Sequence, residues 1–125
     1  MTIAYGCIFA VILMPYLWVM IARVPSLTLE SNLIPRQVAD AYDGYQQRFY
    51  WAHLNALEAT VPFSAVVIIA HLLHGPQNII DMLALMFAGF RLAHAMAYAA
   101  NLGVIRSLVF FASMLCMVSI ILIVV

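Results

Sequence analysis

Four apolar runs, residues 3–22, 49–73, 79–100 and 107–125, each approach or exceed the roughly 20 residues that cross the hydrocarbon core of a bilayer. Inside lipid every backbone N–H and C=O must find its partner within the protein, so runs of this length cross as helices. The expected fold is therefore all-α, an integral membrane four-helix bundle built as a single domain over 1–125. Composition enters only to exclude the alternative: 67% of the 125 residues are hydrophobic and 8% charged, against about a quarter charged in soluble domains.

The few charges narrow the function. The chain has five arginines, no lysine and five acids, so its formal net charge is zero and no basic face exists for nucleic acid. Cys7 and Cys116 lie in apolar runs with no metal-like spacing and read as small buried hydrophobes. The first run lacks a basic n-region and a small-residue cleavage pattern, so it is expected to remain as a helix.

Between the runs, local signals set the expected boundaries. Pro15 should kink the first helix, and a neighbouring helix should satisfy the carbonyl it frees. Residues 24–47 form the one long polar segment, where Pro35 suits a first helical turn that runs on into the second span. That span should bend at Pro62 and end at His74, Gly75 and Pro76. His71 and His74 are three apart, but two ligands without a nearby Cys or acid favour an interfacial or turn role over a metal site. Asn78 is placed to cap the third span, with Asp81 supporting that cap. Arg23, Arg36 and Arg48 border the first loop and Arg106 the third, which puts both loops in the cytoplasm and both termini outside.

Polar residues inside the spans demand a reason. One Arg or Asp at the centre of a spanning helix costs roughly 2.5 to 3.5 kcal/mol on insertion scales. Yet residues 48–63, RFYWAHLNALEATVPF, carry Arg48, His53, Asn55 and Glu58. Trp51, Asn55 and Glu58 recur at i, i+4 and i+7, and the stripe they form is expected to face inward. Arg91, His94 and Tyr98 form a matching stripe midway along the third run. Two readings follow: a buried Glu58–Arg91 ion pair completed by Asn55 and His94, which locks the two spans, or a ligand site.

The run from Asn55 to Phe63, NALEATVPF, preceded by Ala52, resembles the second-helix signature of the MAPEG family, membrane-associated proteins of eicosanoid and glutathione metabolism. Asn55, Glu58, Pro62 and Phe63 match it. A second block, GFRLAHAMAY followed by NLGVIRS, resembles the family in Arg91, Tyr98, Arg106 and Ser107, and His94 matches the prostaglandin E synthase branch. NLIPR at 32–36, with Gly44, resembles the loop of bacterial members. A bacterial member would reside in the inner (plasma) membrane.

This resemblance implies a homotrimer that binds glutathione between subunits, near the cytoplasmic helix ends. It assigns glutathione contacts to Arg23, Arg48, Asn55, Glu58, Arg91, His94, Tyr98 and Ser107, and thiolate stabilisation to Arg106. The implied activity is a glutathione-dependent transferase or peroxidase acting on lipophilic electrophiles. The chain also departs from the pattern: Trp51 and Leu54 stand where relatives carry arginines, and Phe110 replaces a tyrosine. Those departures resemble the family's non-enzymatic side, in which a lipid or other hydrophobic ligand is bound between protomers.

Overall fold

The computed structural model describes every residue from Met1 to Val125. It contains α1 (Ile3–Arg23), α2 (Pro35–Asp40), α3 (Gly44–Leu72), α4 (Gln77–Ala99) and α5 (Gly103–Leu122), with one 3-10 turn at Val24–Ser26 and no strand. Four of these helices, α1, α3, α4 and α5, are long and apolar enough to cross a membrane. They form a four-helix membrane bundle in which α1 packs chiefly on α3, and α4 chiefly on α5.

Side-chain size sets the packing. The buried stripe of α3 is Ala52, Ala56, Ala59, Phe63, Val67 and Ala70, and its alanines let neighbouring backbones approach closely, the usual source of helix association in lipid. Below them Phe63 and Phe87 stack with ring centroids 4.0 Å apart, within a core that also takes Ala4, Cys7 and Val11 of α1 and Ile120 of α5. The polar stripe does not face inward as expected. Trp51 and Glu58 are exposed and Asn55 is half-buried, because the small residues one position further on occupy the close-packed seam.

Pro15 lacks the N–H that would bond Val11, and the Thr60 hydroxyl of α3 reaches that carbonyl oxygen at 3.3 Å while also lying 2.8 Å from the Ala56 carbonyl. One turn away, His53 Nδ1 lies 2.8 Å from the Pro15 carbonyl oxygen. A carbonyl only accepts, so Nδ1 carries the proton in this contact.

Three local expectations are corrected. Pro35 opens α2, but that helix stops at Asp40 and α3 starts separately at Gly44 (φ +51°). Pro76, not Asn78, is the cap residue of α4, and Asn78 lies inside the helix. Asp81 instead serves α1: its Oδ1 accepts the Ala4 N–H at 2.8 Å and the Gln77 Nε2–H at 2.8 Å. An anionic acceptor there meets the positive end of α1 rather than that of its own helix.

Helices α3 and α4 end alike. The Gly75 N–H bonds Ala70 O and the His74 N–H bonds His71 O, while the Leu102 N–H bonds Ala97 O and the Asn101 N–H bonds Tyr98 O. These are Schellman motifs whose left-handed residues are His74 (φ 56°) and Asn101 (φ 58°). Gly75 is needed for space, since a Cβ there would lie 2.6 Å from Val124 Cγ1.

Candidate functional site

The buried stripe of α4 continues from Ile80, Ala84 and Phe87 into Arg91 and His94. Helix periodicity thus carries a guanidinium into the seam, where Arg91 is only 3% exposed. Its Nη2 donates to the Asn55 side-chain oxygen at 2.6 Å and to the Asn55 carbonyl at 3.0 Å. Nε and Nη1 are buried with no hydrogen-bond partner. The expected Glu58–Arg91 ion pair is therefore not formed. Asn55 lies on the flank of the seam and reaches Arg91, whereas Glu58, one turn on, is turned to the outer surface.

Glu58 lines a cleft of about 190 Å³ with Trp51, Leu54, Asn55 and Tyr98. Tyr98 joins that cleft to the rest of α4 and α5. His94 meets its ring edge-on at 5.2 Å and lies 5.9 Å from the Phe110 ring of α5, and the Arg106 guanidinium carbon sits 4.6 Å from the Tyr98 ring centroid. A cation over an aromatic face is attracted by the ring quadrupole, which orients Arg106 without a carboxylate.

Asn55, Glu58, Arg91, His94, Tyr98 and Arg106 thus form one connected set. The other three candidates have different contacts. Arg23 Nη2 donates to Asn32 Oδ1 at 2.7 Å, Arg48 Nε donates to the Ala99 carbonyl at 3.1 Å, and the Ser107 hydroxyl bonds back to Gly103 O at 3.2 Å. Arg48 closes the C-terminal end of α4, a favourable place for a cation.

A family model, described as the MAPEG family, matches residues 1–125. The chain belongs to the MAPEG family. No curated protein and no solved structure matches it. As a MAPEG member with four apolar spanning helices, it is an integral multi-pass membrane protein.

Trp51 and Leu54, read from the sequence as departures from the MAPEG signature, are walls of this cleft. Their i, i+3 and i, i+4 spacing to Leu54, Asn55 and Glu58 was the available signal. The structural partnership of Thr60 has a subtler one: a proline on the facing span orphans the carbonyl four residues before it, which a polar side chain can meet.

Proposed function

We propose that the protein is a glutathione-dependent transferase or peroxidase that acts on lipophilic electrophiles at a site shared between subunits of a homotrimer. The observation that carries this reading is that Glu58, Asn55 and Tyr98 line one cleft, with Arg91 bonded to Asn55 and Arg106 over the Tyr98 ring. Glutathione has two carboxylates, an amine and a thiol. Glu58 suits the amine, the Asn55 side-chain amide, held by Arg91, can donate to a carboxylate, and Arg106 suits the thiolate.

In the transferase reaction the thiolate sulfur bonds to the electrophilic carbon, whose leaving group departs with its electron pair, and the thiol proton passes to solvent. A thiol with pKa about 8.5 is mostly protonated at neutral pH, so a guanidinium that favours the anion raises the reactive fraction. Glu58 is exposed on the protomer near the middle of α3. A carboxylate at that depth is costly against lipid, which favours a second copy of the chain covering the cleft.

A second reading rests on Trp51 and Leu54, 44% and 41% exposed on the cleft wall. An apolar wall favours a hydrophobic ligand held between protomers without chemistry. Calorimetric titration of glutathione into detergent-purified protein, with turnover of chlorodinitrobenzene, separates the two. Saturable binding with thiol-dependent turnover supports the enzyme; neither one leaves the lipid-binding reading. A monomeric mass in mild detergent across concentrations overturns the shared site.

A further inference from the structure

The segment between α1 and α3 presents apolar side chains outward, while the amides of Leu27, Thr28, Ser31, Asn32 and Leu33 are bonded within the turn. Leu27, Leu29, Leu33 and Ile34 are 56%, 94%, 82% and 45% exposed. Within the same turn the Thr28 N–H bonds Ser31 Oγ at 2.7 Å and the Ser31 N–H bonds Thr28 Oγ1 at 3.0 Å. The amides of Leu27, Asn32 and Leu33 bond the carbonyls of Val24, Thr28 and Glu30. Leucines so exposed gain nothing from water, whereas the boundary of a bilayer takes apolar side chains on one side and still offers water and phosphate oxygens to the open amides of Leu29, Glu30 and Ile34.

Three tethers fix its depth. The 21 residues of α1 rise about 32 Å, close to the roughly 30 Å hydrocarbon thickness, so Arg23 marks the end of the span. Arg23 holds Asn32 at that level, 2.7 Å away. On the return strand of chain, Gln46 Nε2 donates to the Ala22 carbonyl at 2.8 Å and to Ser26 Oγ at 2.7 Å. The turn therefore lies level with the helix ends, with Arg23 and Arg36 beside it as cations for lipid phosphates.

We infer that residues 27–34 form an interfacial anchor that lies on the bilayer spanned by α1 and α3–α5, with Leu27, Leu29, Leu33 and Ile34 inserted at the boundary between headgroups and acyl chains. The partner is the lipid surface itself. The anchor steadies the loop at the end of the bundle where Arg48 and Arg106 lie, and it does not depend on the proposed catalysis.

Nitroxide labels at Leu29→Cys and Leu33→Cys, in a Cys7→Ala, Cys116→Ala background reconstituted in phosphatidylcholine vesicles, test the inference. Collisions with oxygen should exceed those with a water-soluble nickel chelate several-fold, with the reverse at Asp40→Cys. Nickel collisions at 29 and 33 equal to those at 40 overturn it, because the loop then stands in water. Exclusion of both reagents also overturns it, because protein, such as a second copy, then covers the leucines. If the cysteine-free background fails to fold, Leu29→Trp in the native chain gives a second measurement. Its added fluorescence should be quenched by brominated phosphatidylcholine, and quenching by aqueous iodide alone rejects the anchor.

Discussion

Asn55 and Arg91 are joined twice, by the asparagine side-chain oxygen at 2.6 Å and its main-chain carbonyl at 3.0 Å from the same guanidinium nitrogen. An uncharged side chain thereby does the holding that a carboxylate was expected to do. Glu58 is left on the cleft surface without a partner in the chain.

Asn55 and Glu58 should accordingly respond differently to substitution. A hydrogen bond to a charged group contributes about 1.5 to 3 kcal/mol, so Asn55→Ala should lower the protomer's resistance to denaturation by about that much. Glu58→Gln should leave that resistance nearly unchanged while weakening glutathione binding. Steric trapping in bicelles measures the first effect and calorimetry the second. Equal destabilisation by both changes would mean that Glu58 is bonded within the protomer after all.

Part of what Thr60 contributes should depend on Pro15, beyond its bond to the Ala56 carbonyl of its own helix. Thr60→Val removes the donor at 3.3 Å from the Val11 carbonyl and should cost about 0.6 kcal/mol, the average for such bonds in a membrane bundle. In a Pro15→Ala background residue 15 regains its N–H and can bond Val11 itself, so the same change should cost less. A double-mutant cycle reads the difference directly. Additive effects would show that the hydroxyl does not serve the proline's orphan carbonyl.

Asp81→Ala should behave as the loss of an acceptor from the N-terminus of α1, where Thr2 still caps Tyr5, rather than from that of α4. The cost of losing such an acceptor is typically about 1 kcal/mol. Hydrogen exchange should quicken at Ala4 and its neighbours, and amides in the first turn of α4 should change less. Faster exchange confined to α4 would reverse the assignment.

The span pattern was legible because bilayer thickness imposes a length that the apolar runs meet. Which face of α3 turns inward was not. Trp51, Asn55 and Glu58 share a stripe as cleanly as Ala52, Ala56 and Ala59 do, and polarity favoured the first stripe for burial. In lipid, close approach of small residues decides the seam instead, so the polar stripe moved to its flank. Arg91 and His94 were identified as a pair on one face, but which acceptor Arg91 would take depended on an inter-helix rotation that spacing within one helix does not encode. The second acceptor at the start of α1, beside its own cap Thr2, was hidden for the same reason: Asp81 and Ala4 are separated by 77 positions along the chain.

Arg106 separates the enzyme from the lipid-binding reading, because a thiolate stabiliser acts on chemistry while a structural arginine acts on assembly. Its guanidinium lies over Tyr98 at 4.6 Å and is not required by the Asn55–Arg91 contact. Arg106→Ala should therefore leave assembly and glutathione binding largely intact while turnover falls. Losing one preorganised charge contact at a developing anion costs about 10² to 10³ in rate. The deficit should shrink as pH rises toward about 8.5 and above, since the unassisted thiol then ionises by itself. Tyr98→Phe keeps the aromatic face and should preserve most of Arg106's orientation, whereas Tyr98→Leu should reproduce part of the Arg106→Ala defect with the same pH dependence. Steady-state turnover of chlorodinitrobenzene against pH checks all three variants. An Arg106→Ala protein as active as its parent at neutral pH would remove Arg106 from the thiolate role.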